Sequence, residues 1–347
     1  MFGIAKKSIV TALTLALVSF GPSEALADSG EVTRTTLSSD AEIQPGVTVE
    51  LVKRTLALSS GEKRHLRGRL EATSSTTGIV GLTNRIKCVD SKGAAASVVA
   101  ASARNHEGYD TDTYAVPGHL PIYADLLLTA PATDVYTCRL YGSAYSSLTG
   151  DYHLTAVAES TWLEVSDSDQ TGAEWWQNSA CESADDAGNC TYVGSGPANP
   201  DAWIFYNDGT PLRKWQAAPS ASAVAAQANV EFTTCYKGTA SCADAMQQYA
   251  RGTDAVVDTR FEFVQLDTTG HTCRTNSTSS RKTISDDGHH YVAYFALPDV
   301  PIDSSCGTRT FILRVYVKHV SGQTVKIDGI QNGVTSLTNA IAFNQFR

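Results

Sequence analysis

The run Asp134-Val135-Tyr136-Thr137-Cys138, reached past Pro131 and left through Leu140, closes a stretch that opens with Ile79-Val80-Gly81-Leu82, which leads through Ile86 to Cys88. Both runs alternate apolar and polar residues and are rich in β-branched and aromatic types, the pattern of half-buried strands. Each ends at or runs through a cysteine. A fainter copy spans Cys273 to Cys306: a polar loop, an apolar Tyr-bearing run at Tyr291 to Leu297, Pro298, then the second cysteine. Tyr123 to Thr129 answers the Tyr291 run, and Pro131 answers Pro298. Order and landmarks agree while loop lengths differ, so the reading is a chain of two related β-rich halves.

Outward from these runs the strand signals continue. Val47 to Val52, His65 to Leu70, Ser97 to Ala103, Tyr152 to Val157 and Trp162 to Val165 are short runs separated by turn formers. In the second half, Val256 to Leu266 sets Val257, Phe261, Phe263 and Gln265 on one side and Asp258, Arg260, Glu262 and Val264 on the other. Phe311 to Val320 alternates just as cleanly, and Ser321-Gly322 turns it into Thr324 to Ile327. Ala243 to Arg251 is the one stretch with helical character. Many short strands and almost no helical period predict an all-β chain: two tandem antiparallel β-sandwich domains, Ig-like or jelly-roll-like, with at most one short helix. The expected division is a signal peptide at 1–27, a first sandwich at 32–165, a Trp-rich connecting region with a small disulfide loop at 166–224, and a second sandwich at 225–347. Ala217 to Ala226, with Pro219 among small residues, reads as a connector.

The Asp134-x-Tyr136-x-Cys138 motif resembles strand F of immunoglobulin domains, over these five residues only. The resemblance implies a corner hydrogen bond from the Tyr136 hydroxyl to upstream backbone. No Trp lies between Cys88 and Cys138, so the partner that packs on the bridge in those domains is missing.

Lys6 and Lys7, the apolar core Ile9 to Phe20 and Ala25-Leu26-Ala27 form a secretory signal, with Asp28 as the expected first mature residue. The apolar core is too short to span a membrane, and no later stretch is long enough, so no membrane span is expected after signal removal. All eight cysteines follow the signal. That suits an oxidising, extracellular compartment. Pairing of neighbours is expected: Cys88–Cys138, Cys181–Cys190, Cys235–Cys242 and Cys273–Cys306. The net charge of -9 argues against nucleic acid, whose phosphates require a basic footprint.

The chemistry is sparse. No nucleophile elbow, zincin helix, phosphate loop or dinucleotide fingerprint occurs. No cofactor is implied. Asp286-Asp287-Gly288-His289-His290 has metal-binding residue types, but neighbouring strand residues point to opposite faces, and the expectation is a surface turn. Asp110-x-Asp112 and Asp167-x-Asp169 lack the rest of a calcium loop. Asp258 and Glu262 share a strand face, where salt bridging competes with a glycosidase role. Asn189-Cys190-Thr191 and Asn276-Ser277-Thr278 match the glycan-acceptor pattern. The five tryptophans, Trp162, Trp175, Trp176, Trp203 and Trp215, concentrate between the halves. Indole faces suit sugar rings or apolar partners; equally, large aromatics fill seams between domains. Trp175, Trp176, Trp203 and Trp215 are therefore the candidate ligand-binding residues. The expected function is a secreted, non-catalytic binding protein for an extracellular protein or carbohydrate. The alternatives are a secreted hydrolase with an unfamiliar carboxylate site, and a secreted inhibitor or toxin-like protein using the Cys181–Cys190 loop.

Overall fold

The computed structural model describes residues 32–107, 116, 118–145, 152–166, 172–176, 191–194, 201–204, 214–235, 252–286, 288–331 and 335–346. The signal, the Cys181–Cys190 loop and the Ala243–Arg251 helix lie outside the described residues. Ten strands form the first half: β1 (Val32–Thr36), β2 (Ala41–Ile43), β3 (Thr48–Leu58), β4 (Lys63–Ser74), β5 (Ile79–Val89), β6 (Val99–Glu107), β7 (Leu120–Thr129), β8 (Asp134–Tyr145), β9 (Leu154–Ala156) and β10 (Trp162–Ser166). The second half continues with β11 (Ala173–Trp176), β12 (Thr191–Val193), β13 (Asp201–Ile204), β14 (Trp215–Gln216), β15 (Ala223–Thr233), β16 (Ala255–Leu266) and β17 (Thr272–Ile284). It ends with β18 (His290–Pro301), β19 (Thr310–Ser321), β20 (Val325–Asp328), β21 (Ile330–Gln331), β22 (Thr335–Ser336) and β23 (Asn339–Gln345). The only helical element described is a 3-10 turn, Ser304–Cys306. Among the described residues no helix is long and apolar enough to cross a membrane.

Each half is a two-sheet sandwich, and the two share one strand order. In the first, sheet A runs β1-β10-β4-β7 and sheet B runs β3-β8-β5-β6. In the second, sheet C runs β11-β23-β15-β18 and sheet D runs β13-β19-β16-β17. The small strands repeat as well: β2 pairs β9 beside β4, as β12 pairs β20 beside β15. Alternation between neighbouring sheets in this order is the jelly-roll arrangement, two interlocked Greek keys. The immunoglobulin alternative does not fit this order.

The segment from 172 to 216 supplies strands β11 to β14 to sheets C and D. The stretch expected as a connector, Ala217 to Ala226, instead runs into the central strand β15. Its apolar period is hidden because both faces of β15 are covered, so every residue from Ala223 to Thr233 is buried.

Leu66, Leu70, Leu82, Ile86, Leu120, Ile122, Leu126 and Leu140 fill the first core, all fully buried. In the second, Phe263 and Phe311 stack at 4.8 Å beneath Trp215, with Phe232 and Phe261 alongside. Burying each such side chain contributes about 1.5–3 kcal/mol.

Disulfides join Cys88 to Cys138 and Cys273 to Cys306. Cys235 is also disulfide-bonded. The Tyr136 hydroxyl donates to Ala132 O at 2.6 Å and accepts from Ala132 N at 3.1 Å. That is the corner bond the five-residue motif implies. The bridge departs from the immunoglobulin pattern, where it crosses between sheets. Cys88 and Cys138 stand directly opposite each other on β5 and β8 of one sheet, with Cα atoms 4.0 Å apart.

The halves meet through the outward faces of sheets A and C. Leu127 packs with Ala225, Ile341 and Phe343. Around them lies a buried polar layer. Asp125 accepts from Asn229 Nδ2 at 3.0 Å, and its Oδ1 lies 3.0 Å from His65 Nε2. Asn339 donates to Asp125 O at 2.8 Å and to Glu174 at 2.9 Å. The Tyr294 hydroxyl accepts from Tyr123 N at 2.7 Å. Burial alone would raise the Asp125 pKa, but the charge of Arg67 and the bonds from His65 and Asn229 hold it down at about 2. Burial keeps the Glu174 carboxyl well above the usual range.

Candidate functional site

The outward face of sheet D is a lattice that the alternation of β16 and β19 dictates. Residues pointing inward along these strands are the buried Phe261, Phe263, Leu313, Val315 and Val317. Their neighbours in sequence therefore stand on the other face. Antiparallel register aligns them into rows across four strands. One row is Trp203, Tyr316, Arg260 and Ser279; the next is Asp201, Lys318, Asp258 and Arg281; a third holds Arg314, Glu262 and Ser277.

Trp203 and Tyr316 lie with ring centroids 4.7 Å apart, both half-buried. The Arg314 and Arg260 guanidinium groups sit 4.7 Å and 5.5 Å from the indole, and Arg260 is 5.2 Å from the phenol. Such cation–π contacts fix the rings against the sheet. The Tyr316 hydroxyl donates to Asp201 at 2.5 Å, and this bond raises its pKa. Arg281 grips Asp258 with two bonds of 2.7 Å and 2.9 Å, which lowers the Asp258 pKa. Glu262 takes Arg260 at 2.5 Å and Arg314 at 2.6 Å. Both carboxylates that sequence marked as a possible acid–base pair are thus held in ion pairs. A depression of about 740 Å³ opens over Asp258, Arg260, Ser279, Arg281, Tyr316 and Lys318. The face offers aromatic area, hydroxyls and charged donors to solvent.

The structure disperses the candidate tryptophans. Trp203 belongs to this face. Trp215 is buried in the second core, against Phe263 and Phe311. Trp175 and Trp176 lie on β11 opposite Ala340 and Asn339 of sheet C. Trp162 packs on Tyr123 in sheet A, with Arg34 4.4 Å from its ring. The seam between the halves contains Leu127, Ile341, Phe343, His65 and the polar layer. Arg281, Arg314 and Lys318, the cations of this face beside Arg260, carry no signal by residue type alone in the sequence. The phase of β16 and β19 sets Arg260, Arg314 and Lys318 on one face, and the register of β17 adds Arg281 opposite Asp258.

Among the described residues no three His, Cys, Asp or Glu side chains cluster as a metal site. The His289 and His290 rings lie 4.3 Å apart, while Asp287 falls outside the described residues, as do Asp110, Asp112, Asp167 and Asp169. Of the two glycan-acceptor asparagines, Asn189 is outside the described residues. The Asn276 amide Nδ2 is buried without a hydrogen-bond partner.

No family model matches the chain, and no curated protein matches it. Solved structures do match. A structure of T=1 particles derived from infectious bursal virus has a TM-score of 0.31 and 11% identity, over 97% of this chain and 45% of that one. This chain thus spans less than half the length of that viral protein. Peptide-N(4)-(N-acetyl-beta-D-glucosaminyl) asparagine amidase has a TM-score of 0.36 and 9% identity, over 91% of this chain and 97% of that one. The N-terminal tandem CBM22 domains of Paenibacillus barcinonensis Xyn10C have a TM-score of 0.23 and 9% identity, over 91% and 98%. All three likenesses are distant.

Proposed function

We propose that this is an extracellular, non-catalytic binding protein that presents the outward face of sheet D to a glycan. The observation that carries the reading is the Trp203–Tyr316 pair, half-exposed on an open face and surrounded by hydrogen-bonding groups. A sugar ring offers an apolar C–H face and a rim of hydroxyls. The aromatic pair suits the first, and Ser279, Lys318, Asp258 and Arg281 suit the second. The ion-paired state of Asp258 and Glu262 favours binding over acid–base chemistry on this face. The signal-like start and the disulfides support an extracellular setting. The test is isothermal titration with soluble hexasaccharides of β-1,4-linked glucose, xylose and N-acetylglucosamine. At least one should bind the native protein, and Trp203→Ala should weaken that binding about 30-fold, as loss of a buried aromatic contact implies. Hexasaccharide binding that is unchanged in Trp203→Ala would remove the basis of the proposal.

A further inference from the structure

The hairpin β21–β22 has no counterpart in the first half among the described residues. It leaves the second sandwich and adds β22 to sheet B of the first, parallel to β6, with Thr335 opposite Val99. Leu337 then packs on Ala101 and Ala103. Thr335 and Leu337 line one side of a cleft of about 410 Å³ between the halves.

The cleft is lined by Thr83, Arg85, Ser143 and Tyr145 from the outward face of sheet B, and by His290 and Thr335 from the second half. Alternate positions of β5 and β8 place these side chains on one face. The Tyr145 ring lies over Gly81, where a Cβ would stand 2.1 Å from it, so only glycine allows this wall. Arg85 is exposed and makes no ion pair among the described residues, although the protein as a whole is acidic.

The back wall fixes the state of His290. Thr233 Oγ1 donates to Asp328 Oδ2. Its lone pair therefore faces His290 Nδ1 at 3.3 Å, which places the imidazole proton on Nδ1 and leaves Nε2 as an acceptor. Burial lowers the His290 pKa to about 4, so the ring is neutral at neutral pH. Behind it, Glu231 is wholly buried. Its Oε2 accepts from Ala103 N at 3.2 Å, while Oε1 has no hydrogen-bond partner and lies 3.7 Å from His290 Nδ1. Burial, and then the charge of Asp328, keep this carboxyl protonated well above the usual range. Lys326, 2.6 Å from Asp328 Oδ1, balances the remaining carboxylate. The raised Glu231 pKa and the Lys326 pairing both reduce the negative charge that the wall presents to an anion.

Hydroxyls, a neutral acceptor and one unpaired guanidinium converge on a space of monosaccharide to disaccharide size. We propose that this interlobe cleft is a second binding site, for a small hydroxylated anion of the sugar-acid class. Arg85 takes its carboxylate and His290 Nε2 accepts from one of its hydroxyls. Neutral sugars bind less tightly because they gain no charge-assisted bond from Arg85.

The test is titration of the native full chain with glucuronate and galacturonate, each against its neutral parent, glucose and galactose. One uronate at least should bind, with its neutral parent weaker by about 10-fold or more, the loss expected of a charge-assisted bond. Arg85→Ala should remove this discrimination without changing the melting temperature, because Arg85 is exposed. Trp203→Ala should leave uronate binding intact, which separates this site from the sheet D face. The proposal is overturned if neither uronate binds, if uronate and parent bind alike, if Arg85→Ala changes nothing, or if Trp203→Ala abolishes uronate binding.

Discussion

Asp125 of the first sandwich accepts a 3.0 Å hydrogen bond from Asn229 of the second, inside a layer closed to solvent. The same carboxylate takes His65 at 3.0 Å and lies 3.8 Å from Arg67. One buried anion therefore holds side chains of both halves. A buried group of this kind penalises truncation, because its partners remain enclosed without it. Asp125→Ala is expected to cost about 3–5 kcal/mol. Urea unfolding checks this, with loss of the single cooperative transition as a further expected sign of separated halves.

The same layer sets a pH profile. The Asp125 pKa is depressed from 3.8 to about 2 in the folded state. Its contribution is thus present above pH 4 and lost as pH falls through 2, about 2 kcal/mol in all. Glu231 and Glu174 have the opposite sign, their folded pKa values being raised. Their contribution is present below the unfolded value near 4.5 and lost as pH rises through the folded one. The two carboxyls therefore lower stability above pH 4.5, against the rise that His290, with its pKa lowered to about 4, supplies between pH 4 and 6.5, so the melting temperature should decline from pH 6.5 toward pH 8. Glu231→Gln, which keeps the neutral shape, should flatten the alkaline decline. A melting temperature that climbs from pH 6.5 to pH 8 in the native protein, or an alkaline limb unchanged in Glu231→Gln, would contradict this assignment of charge.

Tyr136→Phe removes both hydrogen bonds to Ala132 while keeping the buried ring. The cost should be about 1–3 kcal/mol, since the Ala132 groups lose their partner. Thermal unfolding measures it, and hexasaccharide binding at sheet D should not change.

The two described bridges close chain segments of 50 and 33 residues. In the chain-entropy model each stabilises by roughly 4 kcal/mol. Replacing Cys88 and Cys138 together by Ala should lower stability by that order, and replacing Cys273 and Cys306 should cost about the same. Denaturant titration of the two double variants provides the comparison.

Much of this architecture is legible in the chain. Alternation marks β8, β16 and β19, because each has one face on a core and one in water. The pairing of Cys88 with Cys138 follows from their being neighbouring cysteines along the chain, each on a strand-like run. Strand β15 is not legible in this way. Gln227, Asn229 and Glu231 alternate with Ala226, Ala228 and Val230, yet all six are buried. A polar face packed on a second domain looks, in sequence, like a face in water. The sheet order is hidden for another reason: β1 pairs with β10, more than a hundred residues away, and nothing local encodes that choice. At the candidate site, Trp203 is conspicuous by type. Its partners Tyr316, Arg260 and Arg314 emerge only when register brings three strands together.

The central claim is that the Trp203–Tyr316 face takes up a glycan. Isothermal titration of β-1,4-linked hexasaccharides into native protein and into Trp203→Ala, with melting temperatures matched beforehand, tests it most directly. Saturable binding to the native protein, weakened about 30-fold in the variant, is the predicted result. Equal binding to both proteins, or none to the native one, would contradict it.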